Sequence, residues 1–328
     1  MTVPGRLEAA LDGGATPSVH TATVRVDGLP LSARVCSAPS PRAVILALHG
    51  GGTTSLYFDC PGRPELSLLR AGAALGYAVV AMDRPGYGIS APHAEHYRDP
   101  QRRVDTAYAA LDRFLDQLPG RPAVFLAAHS AGCELATRMA ADPRGRRLLG
   151  LEIAGTGLRH QPDTMRALDE GDAAHRRNGR RPAGIRAALW GPAELYARDV
   201  WNTPYIASGT PAYEGTARRW VERDFAPLAA EVRIPVQFSL GDHEGVWESG
   251  PAALAEITGL FTASPLVRSN EQAGCGHNLS LGFAARSYHL RVLAFAEECA
   301  VRRERDGADE ADRIDKADRA DTTEGEVA

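Results

Sequence analysis

The chain has 328 residues, 44% hydrophobic and 24% charged, which suits one large α/β domain with an insertion, or at most two ordinary domains. Its formal net charge of -4 supplies no basic field to hold nucleic acid or an anionic membrane surface, so neither is expected as a partner. Glu8 and Asp12 interrupt the stretch that a secretory leader would need, no apolar run is long enough to span a bilayer, and the five cysteines lack CxxC pairing, so reduced thiols and a cytoplasmic location are predicted.

Residues 1–18 are polar and read as an N-terminal extension. HTATVRV and LSARVCS then read as two strands joined around Asp27-Gly28, a hairpin turn sequence. Residues 43–48, AVILAL, form an unbroken apolar run, the pattern of a strand covered on both faces, and end abruptly in glycines. A helix is predicted over 65–75. Further short runs at 77–82, 123–128, 149–153, 235–240 and 265–268 are mostly separated by helical segments, which predicts βα alternation and a mainly parallel sheet. Val104, Tyr108, Leu111, Leu115 and Leu118 recur at helical spacing and read as a core-facing stripe.

About eighty residues separate the run ending near Ile153 from the one starting at Pro235, far more than one crossover helix requires. An inserted, mainly helical cap over 156–229 is predicted, leaving 19–155 and 230–300 as the core. The insertion holds Trp190, Tyr196, Trp201, Tyr205, Tyr213 and Trp220. Such aromatics either line a substrate pocket or form the cap's own small core, and Trp190, Trp201 and Tyr205 are the substrate-binding candidates. Residues 301–328 mix both charges with almost no large apolar side chain, which predicts a disordered tail.

The strongest chemical signal is AVFLAAHSAGCELATRMA, where an apolar strand runs through Ala128-His129-Ser130-Ala131-Gly132 into a helical pattern. A serine on a sharp strand-to-helix turn has a strained backbone, and only small residues two positions away avoid a clash, which Ala128 and Gly132 satisfy. Ser130 then faces a helix N-terminus, whose unpaired N–H groups favour negative charge on a substrate oxygen, with the Ala131 N–H as first donor. A second donor is expected in His49-Gly50-Gly51-Gly52, which matches the HGGG oxyanion motif and whose glycines let the backbone approach closely: Gly51, with Gly52 as the alternative. A phosphate-binding loop is the competing reading of these glycines, but neither GxxxxGK[ST] nor GxGxxG occurs. No metal is predicted, since His93 and His96 lack a third ligand at supporting spacing, and no cofactor.

These segments resemble the α/β-hydrolase family: the elbow around Ser130, the HGGG oxyanion loop, and Asp83-Arg84-Pro85-Gly86-Tyr87-Gly88-Ile89-Ser90 as its D-x-x-G-x-G-x-S loop. Ala128 stands where the family usually has a glycine. The resemblance covers residues 21–300 and implies a mostly parallel central sheet flanked by helices, an inserted cap, and the chain order nucleophile, acid, histidine. His277, in Ala273-Gly274-Cys275-Gly276-His277-Asn278-Leu279, is then the general base. Gly241-Asp242-His243-Glu244-Gly245-Val246-Trp247 resembles the family's G-x-x-D-x-x-V, which puts Glu244 at the acid position with Asp242 as runner-up. Cys133 and Cys275, near nucleophile and base, read as packing residues.

The expected activity is a serine hydrolase that cleaves an ester or thioester of a medium-sized, partly apolar small molecule through an acyl-enzyme. The same site also suits an acyltransferase, a C–C hydrolase or a cyclase, and a non-catalytic small-molecule-binding protein is the rival from another class. The oligomeric state is left open.

Overall fold

The chain enters its sheet as a hairpin: β1 (His20–Val26) pairs antiparallel with β2 (Leu29–Ser37), and Asp27 and Gly28 turn between them with φ of 50° and 79°, as a type I′ turn requires. A computed structural model describes residues 18–118, 120–164, 166, 183–217 and 219–324. The N-terminal extension, but for Ser18, lies outside the described residues. The remaining strands are β3 (Val44–Leu48), β4 (Ala78–Met82), β5 (Val124–His129), β6 (Gly150–Ala154), β7 (Val236–Gly241) and β8 (Val267–Gln272). The helices are α1 (Leu68–Ala74), α2 (Pro100–Leu115), α3 (Gly132–Ala141), α4 (Ala183–Trp190), α5 (Tyr213–Ala217), α6 (Trp220–Arg223), α7 (Phe225–Glu231), α8 (Pro251–Thr258) and α9 (Ala285–Glu324).

The sheet order is β1-β2-β4-β3-β5-β6-β7-β8, antiparallel as far as β4 and parallel thereafter. Strands β3 to β7 are buried along their whole length, which is why they read as unbroken apolar runs, whereas edge strand β8 exposes Arg268, Ser269 and Glu271. Successive residues of β3 serve opposite faces. Val44, Leu46 and Leu48 pack with Val104 and Leu111 of α2 and Leu135 of α3. Ile45 and Ala47 pack with Leu69 of α1 and Val292 of α9. The register aligns Leu48 with both Met82 and Ala128, so the carboxyl ends of β3, β4 and β5 open onto one edge. An open parallel sheet binds its ligands at that edge.

Within the α9-covered face, Glu152 of β6 is fully buried, accepting from Gln237 Nε2 at 2.7 Å and from the Tyr288 hydroxyl at 3.1 Å. Burial raises its carboxyl pKa to about 7, although these hydrogen bonds oppose the shift. The folded state therefore holds this proton more tightly than the unfolded chain. The resulting stabilisation is complete below the unfolded carboxyl pKa and is lost as pH rises through about 7. In urea titrations, Glu152→Gln should gain on the parent by on the order of 2–3 kcal/mol between pH 4.5 and pH 7.5. A pH-independent difference between the two proteins would rule this out.

Two boundaries differ from expectation. Trp220, Val221, Phe225 and Ala229 of α6 and α7 sit in the same core as Leu135, Met139 and the strands, so the last part of 156–229 is an ordinary crossover into β7 and not cap. Its apolar stripe finds α3 only in three dimensions. The mixed-charge segment from Val301, expected to be disordered, continues α9 to Glu324. Alanine, glutamate and arginine favour helix, and Arg302 and Asp306 pair at i,i+4.

Candidate active site

Ser130 follows β5 directly and precedes α3, with φ of 51°, a left-handed conformation that a serine rarely adopts. The turn is held from both sides: the Ser130 N–H donates to the Ala154 carbonyl at 2.8 Å, and the Cys133 N–H donates to the Ser130 carbonyl at 2.9 Å. Gly132 is required for this crossing, because a Cβ there would lie 2.4 Å from the Leu48 carbonyl oxygen. Ala128, at the other small position, fits while 2% exposed.

His277 stands on the loop after β8, 1% exposed, with Nε2 at 3.1 Å from Ser130 Oγ. Its Nδ1 lies 3.0 Å and 3.2 Å from the two carboxylate oxygens of Glu244, which is itself buried and accepts from the Val246 N–H at 2.8 Å. Facing a carboxylate, Nδ1 carries the proton, which leaves the Nε2 lone pair for the serine hydroxyl. Asp242 is not in this line. It accepts from the Gly274 and Cys275 N–H groups, each at 3.0 Å, and so shapes the loop that carries His277.

The loop after β3 approaches from the other side. Among the described residues, neither the Gly51 nor the Ala131 N–H donates to a protein acceptor. The Gly52 N–H is engaged by the Tyr87 hydroxyl at 3.1 Å, which separates Gly51 from its alternative. A Cβ built on Gly51 would come 3.4 Å from Ala131 Cβ, so the two unpaired amides are neighbours. His49 is structural: its Nε2 accepts from the Arg84 N–H at 3.0 Å and its Nδ1 donates to the Gly50 carbonyl at 2.8 Å. Burial, reinforced by Arg84, lowers its pKa and keeps it neutral. Cys133 and Cys275 are buried, and burial pushes the Cys275 thiol up to about 12, so neither offers a ready thiolate.

A cavity of about 250 Å³ opens over Ser130 and His277. The insertion closes it through Leu189, Trp190, Asn202, Thr203, Ile206 and Ser208. Of the three aromatics expected to contact substrate, Trp190 lines it. Trp201 instead donates its indole N–H to the Trp190 carbonyl at 2.8 Å, bracing the wall from behind. Tyr205, in a 3-10 turn over Pro204–Ile206, is 68% exposed and not among the lining residues, so its phenol satisfies its hydroxyl in water.

The sequence profile described as the alpha/beta hydrolase family matches residues 44–293. The chain belongs to the alpha/beta hydrolase family. A shorter stretch is similar to Protein ABHD14A of Danio rerio, at 38% identity over 92 residues, 28% of this chain and 30% of that protein. Among solved structures, a soluble variant of monoglyceride lipase from Saccharomyces cerevisiae superposes with a TM-score of 0.63 at 13% identity, over 88% of this chain and 96% of that one. A thermostable carboxyl esterase from Bacillus coagulans gives 0.63 at 17% identity, over 86% and 99%. A thioesterase domain from the curacin biosynthetic pathway gives 0.56 at 18%, over 84% and 99%. At these identities the likeness is one of fold.

Several residues of this alpha/beta hydrolase site escaped the sequence reading. His129 lines the cavity, stacks on Tyr57 with ring centroids 4.4 Å apart, and donates from Nε2 to the His277 carbonyl at 2.8 Å. Asn278, next to His277, donates to the Leu189 carbonyl at 2.7 Å and ties the histidine loop to the cap. Their positions beside Ser130 and His277 were the available signal, but their partners lie far along the chain. Among the described residues no helix is long and apolar enough to cross a membrane.

Proposed function

We infer that this protein is a serine hydrolase acting on a compact, uncharged carboxylic ester or thioester. The observation that carries the reading is the unbroken line from Ser130 Oγ through His277 to Glu244, with Ser130 held at positive φ. Ser130 Oγ bonds to the acyl carbon while His277 Nε2 takes its proton, and the carbonyl electron pair moves onto oxygen. The Gly51 and Ala131 N–H groups receive that oxyanion. Collapse expels the alcohol or thiol, which takes the proton back from His277. Water, deprotonated by the same imidazole, then releases the acid and restores Ser130. Glu244 holds the imidazole's tautomer and balances the imidazolium in both halves.

The cavity supports the substrate class. About 250 Å³ lies at the small end for ligand pockets, and His129 and His277 are the ionisable lining side chains among the described residues. A charged substrate would lose its hydration there without a counter-charge. Asn202, Thr203, Ser208 and Asn278 offer polar contacts beside the apolar Leu189, Trp190 and Ile206. The esterase and thioesterase names among the structural neighbours lean the same way.

A fluorophosphonate probe should label Ser130, located by peptide mapping, and p-nitrophenyl esters of two to four acyl carbons should be turned over faster than those of twelve or more. A folded protein left unlabelled and inert toward the whole series would favour the binding-protein alternative. Trp190→Ala removes an indole from the wall and should improve kcat/KM for the octanoyl ester relative to the acetyl ester by about 10-fold. An unchanged chain-length profile would remove Trp190 from the acyl-binding wall.

A further inference from the structure

On the serine-hydrolase reading, the oxyanion loop must hold the Gly51 N–H in one direction. A peptide group is planar and trans, so the direction of each N–H is set by the carbonyl of the residue before it. The Cys133 N–H fixes the Ser130 carbonyl, and with it the plane that carries the Ala131 N–H. The Gly50 carbonyl does the same for the Gly51 N–H, and three donors converge on it: His49 Nδ1 at 2.8 Å, Thr53 Oγ1 at 3.0 Å and Arg84 Nη2 at 3.0 Å.

The first two belong to the loop itself, but Arg84 comes from the segment after β4 and is 3% exposed. The same Nη2 donates to Glu214 Oε1 at 2.5 Å, and Glu214 belongs to α5 of the insertion. A Cβ on Gly51 would meet Glu214 Oε2 at 2.8 Å, so this carboxylate also packs directly on the oxyanion loop. The neighbouring Tyr213 hydroxyl donates to the Pro85 carbonyl at 2.6 Å, tying the same turn of α5 to the segment that bears Arg84. A buried guanidinium without its carboxylate would be poorly held, because its charge would seek water.

We propose that Arg84 and Glu214 are positioning residues of the oxyanion hole: Arg84 fixes the Gly50-Gly51 peptide, Glu214 fixes Arg84, and the hole is complete only while α5 is docked.

The test compares steady-state kinetics on p-nitrophenyl butyrate with the affinity of phenylboronic acid, which forms a tetrahedral adduct with an activated serine. Glu214→Ala should lower kcat by roughly 10–100-fold with KM changed less than about 3-fold, and weaken the boronic acid by a similar factor. Glu214→Gln keeps the shape and an acceptor for Arg84, and should lose only about 3–10-fold in kcat at unchanged KM. Asp199→Ala removes a different, exposed ion pair of the insertion, with Arg63, and should leave both readouts at the parental level. Folded Glu214 variants with parental kcat and boronic-acid affinity overturn the proposal. So does an equal loss in Asp199→Ala, which would make general cap docking the cause. A parent that neither hydrolyses the ester nor is labelled at Ser130 overturns the serine-hydrolase reading, and this proposal with it.

Discussion

Ser130→Ala is expected to lower kcat/KM by about 10⁴–10⁶-fold while leaving the fold intact. The hydroxyl sits 3.1 Å from His277 Nε2 and at the mouth of two unpaired amides, so its removal takes away the attacking atom and spares the rest of the site. What activity survives would come from substrate held against the amides, with water in place of the serine. Stability should scarcely change, because alanine carries the same left-handed strain at φ 51° as serine. Ser130→Gly, which relieves that strain, should be equally inactive yet more stable by about 1 kcal/mol. The checks are ester turnover, loss of fluorophosphonate labelling, and thermal unfolding of all three proteins. Retention of a tenth of parental turnover in a folded Ser130→Ala protein would show that another group attacks.

Glu244→Gln is expected to cost about 10³–10⁴-fold in kcat with little change in KM. Glu244 Oε1 accepts from both His277 Nδ1 and the Val246 N–H, so glutamine preserves the geometry around that oxygen. What it removes is the negative charge that stabilises an imidazolium at a buried histidine. Asp242→Asn should cost less than about 10-fold, because the amide oxygen can still accept from one of the two backbone N–H groups of the histidine loop. The ratio of the two losses, measured on one ester at one pH, assigns the acid. Comparable losses would mean that charge near the histidine loop matters and its address does not.

The sheet was legible because its strands are buried on both faces and therefore spell continuous apolar runs, as residues 43–48 do. The elbow was legible for a similarly local reason: a strained turn and a close crossing over Leu48 demand small residues at fixed spacing, and Ala128 and Gly132 stand there. The charged tail reads as disordered because composition reports what cannot be buried, whereas α9 continues through it. Trp220 reads as a cap residue yet sits in the core, because an apolar residue in an insertion looks the same whether it faces a cap or the core.

The sequence by itself determined the α/β architecture and three short segments that can carry Ser130, a second amide donor and His277, since each is written within a few neighbouring positions. Only the tertiary structure showed that Glu244 and not Asp242 meets His277 Nδ1, that the Gly52 N–H is engaged by Tyr87, and which cap aromatic faces the cavity. It alone joined Arg84 to Glu214. Those outcomes depend on which hydrogen-bond partner a side chain meets across many tens of residues, and that distance is closed by packing of the sheet and insertion, not by any local pattern.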